Sequence, residues 1–211
     1  MEFNKKGTKE EILYWSKRLY QKNMCPSRSG NVSIRTADGI LISASGVCLN
    51  DMSEDDIILI DYDGNVLDGA KKPSSEKIMH SEIYTIRDDI NAIIHCHDPY
   101  LTAFAVAGVP ITKPILPDFA LMYDSIPLVK YYCPSTLDLA VEVGKTFEKT
   151  NVALLKNHGV ILGSDSLQNA FYELECLKSY VEIYFGAEIL GGAKSLTKKN
   201  VAEIKKLYSK K

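Results

Sequence analysis

The sequence predicts a layered α/β domain, and three observations carry that prediction. Short β-type runs are joined by tight polar turns, Ala37-Asp38-Gly39 and Asp63-Gly64-Asn65, which read as antiparallel hairpins. Helix-period segments fall between and after those runs. No linker, repeat or low-complexity stretch divides the chain, so 1–211 reads as one domain, with a core over about 8–190 and a lysine-rich tail over 194–211. Hairpins mixed with helices argue against a simple repeat of parallel βαβ units.

Taken in order, Thr8 is placed to cap a helix with the apolar face Ile12, Leu13, Trp15, Leu19 and Tyr20, ending before Pro26. The polar turn 27–30 leads into strands over Asn31–Arg35 and Ile40–Ser43. A second hairpin joins Ile57–Asp61 to Val66-Leu67. Pro73-Ser74-Ser75 opens a helix running to about Arg87. Ala92–His97 reads as a buried strand and is followed by a helix to about Ala107. A proline-rich crossing (Pro110, Pro114, Pro117) precedes a strand over Ile126–Lys130 and a helix over Thr136–Glu148. Asn151–Lys156 and Val160–Gly163 flank the turn Asn157-His158-Gly159. A long helix spans about Ser166 to Phe185, and the tail holds one weaker helix. The apolar stripe Ala170, Phe171, Leu174, Leu177, Val181 and Phe185 reads as core or as a subunit contact.

Composition narrows the class without naming a chemistry. Hydrophobic residues at 45% and charged residues at 25% match ordinary globular chains and exclude disordered, collagen-like and coiled-coil readings. With 211 residues, roughly 70% of the unfolded surface can be buried, so no staple is required. A net charge of -2 supplies no global field for nucleic acid or a membrane, so any anion site is local. The lysines of the tail read as a solvated face, since only Tyr208 interleaves with them. Five scattered cysteines, Cys25, Cys48, Cys96, Cys133 and Cys176, contain no CxxC pair and suit free thiols in a reducing compartment. The charged stretch after Met1 does not resemble a secretory h-region, and no run approaches the roughly 20 apolar residues of a membrane span. A cytoplasmic location is the expectation.

The chemistry concentrates in few residues. His95 and His97 lie two apart on a strand, so both project from one face and can reach one metal ion. His158, in a turn at a strand end, can deliver a third imidazole, and three ligands with an open position suit catalytic zinc. Glu76, at a helix start, either offsets the helix dipole behind a cap by Ser74 or Ser75, or points to the metal. His80, one turn later, reads as packing or capping. Ser74 and Ser75 at a helix start, and the turns Ser29-Gly30-Asn31 and Ser43-Ala44-Ser45-Gly46, are local anion-binding features.

The order of these motifs is specific. Gly30-Asn31-Val32-Ser33, Ile42-Ser43-Ala44-Ser45-Gly46, Pro73-Ser74-Ser75-Glu76, His95-Cys96-His97 and Asn157-His158-Gly159 together resemble the class II aldolase/adducin-head family over about residues 8–190. The resemblance implies a three-layer α/β/α sandwich around a mixed, largely antiparallel sheet, assembled as a homotetramer with sites near subunit interfaces. It implies one Zn2+ per subunit on His95, His97 and His158, with Glu76 as acid/base and as a metal ligand when substrate is absent. Gly30, Asn31, Ser45, Gly46, Ser74 and Ser75 match the phosphate-cradling positions. The implied activity is cleavage or formation of a C–C bond in a phosphorylated ketose such as L-fuculose 1-phosphate. The products are dihydroxyacetone phosphate and an aldehyde, reached through a metal-stabilised enediolate.

Glu rather than Asp at position 76 favours the aldolase branch over the 4-epimerases, while decarboxylases and a dehydratase of the family also carry Glu. One departure stands out. Leu116, followed by Pro117-Asp118, occupies the place of a family tyrosine that serves the neighbouring subunit's site, and Tyr123 is out of register. The resemblance implies that Tyr208 is the counterpart of a second family tyrosine near the C-terminus and belongs with the catalytic residues. A zinc-dependent decarboxylase, an epimerase and, more remotely, a non-enzymatic adducin-like interaction module are the alternatives.

Overall fold

A computed structural model describes residues 5–208. The start read above at Met1 to Asn4, and tail residues 209–211 with Lys210 and Lys211, lie outside the described residues. Helix α1 (Lys5–Gln21) leads into the hairpin β1 (Asn31–Thr36) and β2 (Gly39–Ser43). A 3-10 turn (Glu54–Asp56) precedes the hairpin β3 (Ile57–Ile60) and β4 (Val66–Asp68). Then follow α2 (Lys77–Ile86), β5 (Ala92–Cys96), α3 (Pro99–Ala107) and α4 (Pro117–Met122). The remainder is β6 (Leu128–Val129), α5 (Leu137–Phe147), β7 (Val152–Leu155), β8 (Gly159–Ser164), α6 (Leu167–Ile189) and α7 (Lys198–Tyr208).

Among the described residues all eight strands join one sheet in the order β4-β3-β2-β1-β5-β8-β7-β6. Every neighbouring pair is antiparallel except β6 with β7, so the sheet is mixed and largely antiparallel, as expected. Side chains alternate along each strand, and the apolar ones divide into two cores. Val32, Ile34, Leu41, Leu59, Ile94, Leu154 and Leu162 pack with residues of α1, α3, α4 and α6. Ile40, Ile42, Ile58, Ile60, Ile93, Ala153, Leu155 and Ile161 pack with α2 and α5. Two covered faces make the three-layer sandwich, and strands buried on both sides explain why several read as continuous apolar runs. The apolar stripe of α6 belongs to the first core, where Phe171, Leu174 and Val181 are fully buried. Each such side chain stabilises the fold by about 1.5–3 kcal/mol.

Several boundaries differ from expectation for local reasons. Helix α1 begins at Lys5, so Thr8 lies inside its first turns rather than at the cap. Pro73, Ser74 and Ser75 do not start α2, because their backbone pairs with the end of β2. Ala44 bridges Pro73, Ser74 N donates to Ser43 O at 3.0 Å, and Ser45 N to Lys72 O at 2.9 Å. Glu76 then caps α2. The strand expected over Ile126–Lys130 shrinks to β6, preceded by a bridge from Ile111 to Ile126. The proline-rich crossing contains a short helix, α4, with Pro117 in its first turn, where a missing N–H costs nothing. The five cysteines are free thiols. Among the described residues no helix is long and apolar enough to cross a membrane.

Candidate metal centre and active site

The sheet assembles the site on the face covered by α2. Asn31 on β1 pairs directly with His95 on β5, so their side chains emerge together. β5 ends at Cys96 because Asp98 caps α3, its Oδ1 accepting from Tyr100 N and Leu101 N, with Pro99 in the first turn. His97 therefore sits at the strand–helix junction, on the same side as His95 by alternation. His158 comes from the β7–β8 turn, which Asn157 closes in the left-handed region at φ 56°, a conformation asparagine tolerates. The three rings lie 4.7–5.1 Å apart between centroids. One ligand nitrogen from each falls within 4.8 Å of the others.

Glu76 enters this cluster from the cap of α2. Its Oε2 lies 3.1 Å from His95 Nε2 and accepts from Asn31 Nδ2 at 2.9 Å, while Oε1 lies 3.2 Å from His158 Nε2. Burial alone would raise its pKa, but His95, His158 and Asn31 together hold the carboxyl below its ordinary value. Burial would likewise lower His95, yet the Glu76 carboxylate and the Val160 carbonyl raise it. His97 and His158 are pushed down to about 4 by burial and by the charge on His95.

These residues fit a divalent cation. The Val160 carbonyl only accepts, so His95 Nδ1 carries the hydrogen it donates there at 3.0 Å, and Nε2 turns inward. That Nε2 meets His97 Nε2 at 3.1 Å and the Glu76 carboxylate, a convergence of acceptors that requires a positive charge between them. Without metal, one proton on His95 supplies it; a divalent cation held by the three imidazoles would supply it as well. Glu76 Oε1 is buried without a hydrogen-bond partner, as expected of an oxygen reserved for another ligand.

The positions matched to phosphate binding fall on two joined segments and on the turn before β1. The β2–Pro73 pairing sets Ser45 against Lys72 and Ser74 against Ser43, either side of the Ala44–Pro73 bridge, and Ser45, Gly46 and Ser75 are exposed. Ser74 is buried, and its Oγ accepts from Glu76 N at 3.2 Å. Gly30 precedes Asn31, whose amide is already engaged inside, through Nδ2 to Glu76 and through Oδ1 to His80 Nε2 at 2.6 Å. Tyr208 is exposed on α7, which packs on α4. Leu116 caps α4 and packs partly buried against the core, while Tyr123 donates to Glu173 at 3.0 Å. Sequence reasoning missed the buried set behind the site. His80, Ser33 and Tyr84 are fully buried and bonded to one another. Its only trace in the sequence is the spacing of Glu76, His80 and Tyr84, four apart on one helix face.

Comparison with known proteins agrees with this geometry. The family model described as Class II Aldolase and Adducin N-terminal domain matches residues 10–185. An L-fuculose phosphate aldolase of Methanocaldococcus jannaschii is 35% identical over 175 residues, 83% of this chain and 94% of that protein. A 3-oxo-tetronate 4-phosphate decarboxylase of Cupriavidus necator is 28% identical, covering 83% of this chain and 82% of its own length. A solved L-fuculose 1-phosphate aldolase superposes with a TM-score of 0.89 at 30% identity, covering 98% of both chains.

Proposed function

The chain belongs to the class II aldolase and adducin N-terminal domain family and is a lyase, and from that premise we propose that it is a zinc-dependent aldolase of phosphorylated ketoses. The substrate is a ketose 1-phosphate such as L-fuculose 1-phosphate, split to dihydroxyacetone phosphate and an aldehyde. The observation that carries the reading is the convergence of three imidazoles and one buried carboxylate at a single point. A divalent cation on His95, His97 and His158, zinc in this reading, supplies Lewis-acid stabilisation of the negative charge that develops on substrate oxygen as the C–C bond breaks.

The chain's own residues do the rest. Glu76 returns a proton to the donor carbon after cleavage and removes it in the condensation direction, its position beside the trio supplying the required proximity. Gly30, Ser45, Gly46, Ser74 and Ser75 orient the phosphate by N–H and O–H donation, while the Asn31 amide is held by Glu76 and His80. In the proposed homotetramer, Tyr208 serves as a proton donor from its exposed place on α7.

The test is zinc content together with C–C cleavage of fuculose-, rhamnulose- and deoxyribulose-1-phosphate. Glu76→Gln should keep stoichiometric zinc and abolish exchange of the donor-carbon proton of dihydroxyacetone phosphate in D2O; undiminished exchange would overturn the role of Glu76. One second reading has specific support. Leu116 in place of the family tyrosine, and a decarboxylase among the relatives, favour a decarboxylase working on a 3-keto acid phosphate. Evolution of CO2 from such acids, with no cleavage of the ketoses, would select it.

A further inference from the structure

Behind Glu76 runs a line of buried hydrogen bonds that the reaction as described leaves unused. Tyr84 OH lies 2.8 Å from Ser33 Oγ, and Ser33 Oγ 2.7 Å from His80 Nδ1. His80 Nε2 lies 2.6 Å from Asn31 Oδ1, and Asn31 Nδ2 2.9 Å from Glu76 Oε2. His80, Ser33 and Tyr84 are fully buried and Asn31 is 5% exposed, so no water is at hand to replace a missing member.

The direction of every hydrogen in this line follows from its end. An ionised carboxylate only accepts, so Asn31 turns its NH2 to Glu76 and its carbonyl to His80. That carbonyl only accepts, so His80 carries its hydrogen on Nε2. Nδ1 is then a bare acceptor, Ser33 donates to it, and Tyr84 donates to Ser33. Reversing the Asn31 amide would set its carbonyl against the carboxylate, two buried acceptors facing each other, whatever tautomer His80 then took.

The two oxygens of Glu76 are thereby made different. Oε2 is held by a fixed donor, whereas Oε1, 3.2 Å from His158 Nε2, is buried with no hydrogen-bond partner. We propose that His80 is a positioning residue: through Asn31 it keeps Glu76 Oε2 an acceptor, leaving Oε1 as the oxygen that takes and returns the reacting proton. In the exchange reaction the donor-carbon C–H bond breaks, an O–H bond forms at Oε1, and the electron pair passes to the substrate's carbonyl oxygen. The return step reverses all three. A hydrogen on Oε2 would instead collide with the Asn31 N–H. This proposal rests on the proton-carrying role assigned to Glu76.

The experiment compares zinc-loaded His80→Gln, His80→Met and Ser33→Ala in D2O exchange with dihydroxyacetone phosphate. Zinc content and thermal midpoint are measured alongside. Gln places an N–H donor near the native Nε2, Met places none, and Ser33→Ala keeps the imidazole but frees its tautomer. Met should lower the exchange kcat at least about tenfold with KM within about twofold, and Gln should recover to within about threefold of native. Ser33→Ala should fall between them. Crystal structures of the two His80 variants should keep the Asn31–Glu76 contact with Gln and lose it with Met. Native kcat in the Met and Ser33→Ala variants, Gln no better than Met, or a loss confined to KM would each overturn the proposal. Should the Met variant fail to fold, native kcat in Ser33→Ala overturns it alone. Exchange that survives Glu76→Gln would defeat the role of Glu76 itself, whereas exchange lost there but native in the His80 series would defeat only the positioning.

Discussion

Gly159→Ala tests whether the backbone of the β7–β8 turn, and not the histidines alone, shapes the metal centre. A Cβ at position 159 would lie 2.5 Å from the Cys96 carbonyl oxygen and 2.7 Å from His97 Cδ2. The carbonyl cannot yield cheaply, because Cys96 is held in the β5–β8 ladder opposite Val160. Relief must come from parting the two strands or turning the His97 ring, and either moves a ligand nitrogen. Overpacking of this kind costs about 1–3 kcal/mol. At about 2–4 °C per kcal/mol for a chain of this size, the thermal midpoint of the zinc-free protein should fall by about 2–12 °C. Disturbing the support of one ligand should weaken zinc binding by about 10–100-fold, read by competition with a chelator. Gly46→Ala is the control. That glycine has φ 74° and nothing within 4 Å of its added Cβ, so it pays only the left-handed strain of about 1–2 kcal/mol and should bind zinc as the native chain does. Native zinc affinity in Gly159→Ala, or equal losses in both variants, would refute the reasoning.

Four further outcomes follow from the same geometry. His95→Ala should lose stoichiometric zinc, measured by elemental analysis, since it removes the nitrogen that bridges Glu76 and His97. Zinc binding should release a proton at pH values below the folded pKa of His95, which the Glu76 carboxylate raises; calorimetry in buffers of different ionisation enthalpy should show the release fading as pH climbs through that raised value. Zinc-free protein should lose stability as pH falls below 6.5. His80 is pushed down to about 3, so between those values the unfolded state binds the extra proton, with a slope of up to about 1.4 kcal/mol per pH unit from this group; denaturant midpoints against pH measure it. His95, with its raised pKa, acts in the opposite sense: its contribution is complete below 6.5 and is lost as pH climbs through its folded value. Tyr208→Phe should leave zinc content and thermal midpoint native and lower cleavage kcat about 10–100-fold; a native rate would remove Tyr208 from the catalytic set.

What could be read in advance from the chain, and what could not, follows from the range of the interactions concerned. His95 and His97 were legible because strand alternation is a two-residue rule, and His158 because its turn is marked by its own residues. The hairpins at Asp38-Gly39 and Gly64-Asn65 were legible for the same reason. Pro73-Ser74-Ser75 carries local helix-start residues but pairs with the end of β2, about thirty residues back, where local propensity carries no information. Helix α4 was hidden by the prolines around it, one of which in fact opens it. The role of Asn31 was legible only in part. Its turn reads as a phosphate donor, and the fold engages its amide across sequence separations of 45 and 49 residues with Glu76 and His80. No periodicity announces such bonds; they exist because β1 and α2 face each other across one layer of the sandwich. The same packing explains why His80, the histidine outside the candidate metal trio, is as deeply buried as His95. A fully buried imidazole is tolerated when both ring nitrogens are bonded, and here each is, to Ser33 and to Asn31. A histidine kept only for packing would be replaceable by an apolar side chain of similar volume, whereas one that fixes hydrogens at both nitrogens should tolerate Gln better than Met. The His80 series therefore separates burial from chemistry at a position where the sequence offered only the first.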